Sequence, residues 1–257
     1  MSNILTKTQA IWQNLLEQDT NILPLPQLFE QLAYLRLAEA SHSIISIFNI
    51  KEFKTDYISN NVEDILGYKT GSGDASGTAL FYQNFAPEHA NFPLISTQLQ
   101  NKAFDCMSIE NRQQTHITGC GMRFHHAKKG WIRILLQVIN LEMSSDHIPL
   151  RSLLIIQDIT HLLKDDAYWV RIDCGEEKIG INGYFSQNQE TMQGDIISKR
   201  EKEILTLIIQ GKTTPEIAAQ LFISTNTVNN HRQNLLNKLG AKDTTALIHL
   251  AQITNLT

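Results

Sequence analysis

Residues 205–241 read LTLIIQGKTTPEIAAQLFISTNTVNNHRQNLLNKLGA, and the punctuation in this stretch decides the fold of the C-terminal part. Just before it, Ser198 followed by Glu201 forms a capping box, in which the Ser oxygen accepts a helix N–H and the Glu carboxylate reaches back. The helix it opens, 199–210, buries Ile204, Leu205 and Ile208, and Gly211 suits a left-handed C-cap. Thr214 and Pro215 supply a cap and first turn for a helix of about two turns, EIAAQL. Phe222 and Ile223 make a tight turn. Ser224 then caps a longer helix, 225–239, which Gly240 stops. Asp243 or Thr244 caps a last helix, 245–253.

A short helix, a turn of about three residues and a longer helix are the parts of a helix-turn-helix. Ala218 is small enough to let the two helices approach. On the long helix Val228, Leu235, Leu236 and Leu239 fall on the inward side. Asn229, Asn230, Arg232, Gln233, Asn234 and Asn237 lie elsewhere. A solvated helix face ordinarily carries Glu and Lys, whereas Asn and Gln suit base edges, where they hydrogen-bond adenine in a bidentate way. Charge is uneven in the same sense. Residues 1–195 carry 15 Lys+Arg against 22 Asp+Glu, and residues 196–257 carry 7 against 4, within an overall net charge of −4. A basic end on an acidic chain can mark a nucleic-acid-binding segment.

This segment closely resembles the LuxR-type DNA-binding domain, a four-helix helix-turn-helix family. The resemblance rests on Ile217-Ala218, Ile223-Ser224, Thr227-Val228, His231 and Lys238-Leu239, which stand at family spacing. It implies that the helix 224–239 enters the major groove of double-stranded DNA, with Asn229, Asn230 and Gln233 at base-contacting positions. It also implies phosphate contacts from Thr214, Ser224, Thr225, Arg232 and Lys238, with Lys212 beside them. The position after Thr-Val is often Lys or Glu in the family and is Asn229 here, so a target sequence does not carry over. Ser198, Thr214 and Ser224 also act as helix caps, each stabilising by about 0.5–2 kcal/mol. Lys238 suits a helix C-terminus without any DNA.

The last helix is apolar over more than the ~100° that one core needs. Ala246, Leu250 and Ile253 share one side, and Leu247, Ile248 and Ala251 the adjacent one. The family's last helix is a dimer contact, which makes Leu247, Ile248, Leu250 and Ala251 candidates for a homodimer interface. A broad intramolecular core is the alternative.

Upstream, residues 1–40 read as two helices, one carrying Ile11, Trp12, Leu15 and Leu16, the other opened by Pro26 and carrying Leu28, Phe29, Leu32 and Leu35. SIISIFNI and TDYIS read as strands. Asn61 and Gly67 bracket a short helix, VEDILGY, and 69–78 is a Gly/Ser-rich loop. Pro87 opens a helix running to about Lys102, which Pro93 bends or shortens. Three long strands follow, 116–126, 131–143 and 150–160, the first two joined by the hairpin turn AKKG. In the middle strand Ile132, Ile134, Leu136 and Val138 point one way, and Leu135, Ile139 and Leu141 the other. A sheet with one wet face alternates cleanly. This one is apolar on both faces, so both are covered, one by the helices of 61–103, the other by the N-terminal helices or a second subunit.

The order of elements over 41–165 resembles a Per-Arnt-Sim (PAS) sensor domain, with YISNNVEDILGY and QDIT (157–160) as the matching text. The resulting fold class is α+β: a PAS-like antiparallel sheet with short helices, followed by an all-α four-helix LuxR-type helix-turn-helix domain. The divisions are N-terminal helices 1–40, a PAS-like domain 41–185 that ends in a hairpin over 166–185, a polar linker 186–197, and the helix-turn-helix domain 198–257.

PAS-like domains hold haem, flavin, small metabolites or nothing, and the sequence names no cofactor. Cys106, in FDCMSI, does not match the flavin-reactive Asn-Cys-Arg motif. His89 is the one axial candidate for haem in the helical run, against an exposed or capping role. His116 and His126 share a strand face but stand over ~30 Å apart, too far to chelate one ion, and no metal site is expected. There is no Gly-x-Ser-x-Gly, HExxH or phosphate loop, so no catalytic residues are assigned. Three scattered cysteines suit a reducing cytoplasm. No apolar run approaches the ~18 residues of a membrane span, and the N-terminus lacks the pattern of a secretory signal. These readings converge on a cytoplasmic transcription regulator, with a possible small-molecule ligand in the sensor half. In the alternative, the C-terminal helices bind a protein such as RNA polymerase. A sigma subunit would need an aromatic, basic helical region upstream, where 41–165 reads as β-rich.

Overall fold

The β-branched runs and the alternation of 131–143 produce a single antiparallel sheet in the computed structural model, which describes residues 2–16, 24, 42–69, 77–105, 107–164, 166, 168–174, 181–184, 192–193 and 196–256. Its strands are β1 (Ser43–Asn49), β2 (Lys54–Ile58), β3 (Thr115–His126), β4 (Gly130–Met143), β5 (Pro149–Asp158), β6 (Trp169–Cys174), β7 (Ile181–Tyr184) and β8 (Met192–Gln193), in spatial order β2-β1-β5-β4-β3-β6-β7-β8. A first helix, α1 (Ser2–Leu15), precedes β1. Between β2 and β3 lie α2 (Val62–Leu66), α3 (Gly77–Asn84), α4 (Phe92–Asp105) and a 3-10 turn, Ile109–Gln114. The sheet order 2-1-5-4-3, with helices from the β2–β3 connection on one face, is PAS-like. Four helices close the chain: α5 (Lys199–Ile209), α6 (Thr214–Leu221), α7 (Thr225–Leu239) and α8 (Thr244–Ile253).

The inner sheet face carries Ile132, Ile134, Leu136 and Val138, as the alternation predicts, packed with Leu66, Phe81, Phe92 and Leu99 of the covering helices. A bulge interrupts β3 between Cys120 and Met122. Two residues apart on a regular strand, these side chains would share a face; the bulge instead sends Met122 into the inner core and Cys120 to the outer one. Gly119 lets the inner layer close up, because a Cβ there would come within 2.8 Å of the Met122 side chain.

The outer face departs from the sequence reading. Cys120, Leu135 and Trp169 form one apolar cluster with Ile159, Leu162 and the cores of the C-terminal helices. The chain's own C-terminal helices cover this part of the sheet. The contact also has a polar frame. Leu163 and Ala241 form a β-bridge, flanked by Lys242 N–H to Leu162 O and Lys164 N–H to Gly240 O, each 3.0 Å. Gln137 Nε2 donates to Ile253 O at 3.1 Å, and Arg171 to Thr254 O and Asn255 O at 2.9 and 3.1 Å, at the end of α8.

Local expectations shift in four places. Residues 87–91 are turns and the helix starts at Phe92, so Pro93 lies in its first turn, where its missing N–H costs nothing. Asn61 makes no cap bond, because its side chain is committed to Ser59 and Ser43 O. Helix α3 is absent from the sequence reading. In the 166–185 segment, β6 joins the sheet edge beside β3 and pairs with β7, which makes it a strand of the main sheet. The second N-terminal helix, the loop residues 70–76, Cys106 and most of the linker lie outside the described residues.

Candidate nucleic-acid interface and sensor cavity

The helix-turn-helix is fixed by its caps. Ser198 and Glu201 form the expected capping box of α5. The cap of α6 is Thr213, which forms a second capping box with Glu216, and Thr214 is the first helical residue. Phe222 ends α6 in a left-handed conformation, φ 53°, and is 95 % exposed. Ser224 caps α7 by accepting the Thr227 N–H at 3.0 Å, Gly240 closes it at φ 68°, and Asp243 caps α8.

Val228, Leu235 and Leu239 bury one side of α7 against Ile204, Leu205 and Ile217, and Leu236 is half-buried. That registration turns Asn229, Asn230 and Gln233 outward, and all three are exposed. Thr214 Oγ1 stands 3.5 Å from Asn229 Oδ1, so the start of α6 meets the amide row. Gln233 Nε2 donates to Asn237 Oδ1 at 3.1 Å, and Lys164 Nζ of the PAS-like part donates to the same oxygen at 2.7 Å.

The predicted phosphate contacts divide. Lys212, Ser224 and Thr225 are exposed, and Thr214 is half-buried. Arg232 is half-buried and donates to Thr244 Oγ1 at 3.1 Å. Lys238 Nζ donates to the buried Glu201 carboxylate at 2.7 Å. Burial raises the Glu201 pKa, but hydrogen bonds from Lys238 and Ser198 outweigh it and leave the group below the usual carboxylate range. Sequence reasoning missed this pair, whose members are 37 residues apart. It also missed Thr213, although the Thr213–Glu216 spacing marks the box.

On α8 the expected free arc is occupied. Leu247, Leu250 and Ala251 are buried within the chain, in the cluster that includes Leu135, Cys120 and Trp169. Ile248 is half-buried. Within one chain, this apolar surface packs into an intramolecular core.

A cavity of about 120 Å³ lies between the inner sheet face and the helices. Ile134, Leu136, Leu154 and Ile156 line one wall and residues of α4 another, and Thr8 and Trp12 of α1 reach the wall as well. Trp12 Nε1 donates to Thr97 Oγ1 at 3.2 Å. His89 is not part of this wall. It is buried against the Tyr168 ring, with centroids 4.1 Å apart, and its Nδ1 accepts the Arg123 N–H at 2.8 Å. Burial lowers its pKa to about 4. The Cys120 thiol also lies elsewhere, and burial raises it to about 12. His116 meets Asp173 at 3.1 Å, while His126 Nδ1 accepts the Lys128 and Lys129 N–H groups. Among the described residues, no helix is long and apolar enough to cross a membrane.

Residues 195–251 match the family described as bacterial regulatory proteins, luxR family. Over 56 residues the chain is 46 % identical to the spore germination protein GerE of Bacillus subtilis (strain 168), covering 22 % of this chain and 76 % of that protein. Over 76 residues it is 41 % identical to the oxygen regulatory protein NreC of Staphylococcus aureus (strain bovine RF122 / ET3-1), and there it spans only 35 % of the relative's length. Among solved structures, the phage VqmA–DPO complex aligns with 91 % of this chain and 92 % of its own at 14 % identity and a TM-score of 0.32. The transcription factor GerE aligns with 24 % of this chain and 94 % of its own at 32 % identity and a TM-score of 0.24. A helix-turn-helix whose long helix turns an amide row outward, in a segment that matches this family, defines the class: a DNA-binding transcriptional regulator. Within that class, the chain belongs to the luxR family of bacterial regulatory proteins.

Proposed function

We propose that this regulator responds to a small molecule held in the PAS-like cavity and reads duplex DNA in the cytoplasm as a homodimer, with α7 in the major groove. Asn229, Asn230 and Gln233 read base edges. Lys212, Thr214, Ser224, Thr225 and Arg232 hold the phosphates, and Lys238 adds the donors that its pairing with Glu201 leaves. The observation that carries this reading is the exposure of three amide side chains on one helix whose opposite side is locked into a core. Dimeric helix-turn-helix proteins read half-sites about one helical turn apart. A homodimer built on Leu247, Leu250 and Ala251 requires α8 to leave the sheet.

The test is binding of a promoter fragment as a function of salt. Log K falls steeply with log[salt] if phosphates are engaged, and a flat dependence overturns the reading. Asn229→Ala and Gln233→Ala relax base preference at single positions, each by about 1–3 kcal/mol. Lys212→Ala weakens binding on all duplexes and lowers the salt slope by about 1. Lys212 is the better probe than Lys238, whose removal would strand the buried Glu201 carboxylate.

A further inference from the structure

The cavity wall contributed by α4 is polar where a core would be apolar. Pro93, Ser96, Thr97 and Gln100 line it, at the i, i+3, i+4, i+7 spacing of one helix stripe. A stripe facing Ile134, Leu136 and Ile156 would pack best as Leu or Val. Instead Ser96, Thr97 and Gln100 are 8 %, 5 % and 5 % exposed. Ser96 is satisfied within its own helix, donating to Pro93 O at 3.0 Å. Thr97 Oγ1 accepts from Trp12, which leaves its own hydrogen free to donate. Gln100 lines the cavity, and its amide atoms are not among the fully enclosed side-chain atoms that lack a partner. A buried amide is costly unless it is hydrogen-bonded, so a polar side chain on this wall suits an occupant that bonds to it.

Three properties of the space define its occupant. No Lys, Arg, His, Asp or Glu lines the wall among the described residues, so an ion would enter without a counter-charge. Its volume of about 120 Å³ is close to the ~150 Å³ apolar cavity that admits benzene, enough to seat a single ring. The primary amide of Gln100 offers a carbonyl acceptor beside an N–H donor, and its complement is a donor beside an acceptor. We infer that the cavity takes an uncharged one-ring molecule with an amide-type edge, that edge held by Gln100 and Thr97 and the ring laid on the apolar sheet wall. The inference rests on the ligand-sensing reading above and names the ligand class of that site.

The test uses the full chain and three near-isosteric probes: benzamide, benzoate and toluene at neutral pH. Binding is read from the Trp12 indole N–H signal, assigned with Trp12→Phe. Benzamide should shift it saturably, at least tenfold more tightly than toluene and at least a hundredfold more tightly than benzoate. Gln100→Leu, of similar volume, should keep toluene binding and lose most of the benzamide advantage. Should that variant not fold, the wild-type order of benzamide and benzoate decides alone. Equal binding of benzamide and benzoate, or an unchanged benzamide preference in Gln100→Leu, overturns the ligand class while the cavity stands as a binding site. No shift with any probe overturns both the class and the sensing role.

Discussion

His89 shows what burial does to one titratable side chain here. The ring is 3 % exposed, and its Nδ1 is occupied as an acceptor by the Arg123 N–H. Burial is the largest influence on its pKa, which falls from 6.5 to about 4. The unfolded chain takes up a proton near pH 6.5, while the folded chain resists until near pH 4. Its contribution is therefore full above pH 6.5 and is lost as pH falls through that window, by roughly 3 kcal/mol in all. His89→Asn keeps an acceptor near the Nδ1 position and removes the titration. In urea unfolding at pH 7.5 and 5.0, the wild type should lose about 2 kcal/mol more than the variant between the two conditions. Parallel losses would show that His89 is not the group responsible.

At the scale of the element, the C-terminal helices were legible because their signals are local. Ser198–Glu201, Ser224, Gly240 and Asp243 sit within one turn of the boundaries they set. The exposure of Asn229, Asn230 and Gln233 follows from the same periodicity that buries Val228 and Leu235. The one-residue error at α6 arose because both neighbours are Thr and Pro215 is tolerated at either of the first two helical positions. It separates two roles. Thr213→Ala removes a capping box and should cost about 1 kcal/mol, read as about a fivefold faster hydrogen exchange of the α6 amides. Thr214→Ala should leave that exchange unchanged and weaken DNA binding instead. Identical exchange in the two variants would refute the assignment. Elsewhere local signals misled or fell short. Pro87 and Pro93 both suit a helix start, and only packing chose the second. The short α3 buries few of its residues and shows no strong period. The cavity could not be read at all, since Trp12, Gln100 and Ile156 come to line one space only when the whole PAS-like part is folded.

On the whole-molecule scale, β4 is a single layer with two audiences. Ile134, Leu136 and Val138 face the cavity, while Leu135 and Gln137 meet the C-terminal helices. The docked helices leave Asn229, Asn230 and Gln233 exposed, so the contact does not cover the amides proposed to read DNA. Arg171 is a buried charged element of the contact. It is 4 % exposed, pairs with Asp173, and donates to Thr254 O and Asn255 O. Carbonyls at a helix C-terminus lack intrahelical partners and carry partial negative charge, which a guanidinium meets well. Burial raises the Asp173 pKa, but hydrogen bonds from His116 and Arg171 more than offset it and hold the carboxyl below its ordinary value, so the clamp stays charged at neutral pH. Arg171→Ala strands two carbonyls and leaves the Asp173 carboxylate to His116 alone, and Arg171→Lys does not reproduce the planar fork. Either change should loosen the end of α8. The Thr254 and Leu256 amides, bonded to Leu250 O and Ala251 O, should exchange at least tenfold faster, with α5 and α7 unaffected. Because Leu247, Leu250 and Ala251 cannot serve both the sheet and a second copy, sedimentation of Arg171→Ala should show a larger dimer fraction than the wild type at equal concentration. Unchanged exchange at Thr254 and Leu256, with the same monomer–dimer balance, would mean that the apolar seam of Leu135, Cys120 and Trp169 holds the helix without the clamp.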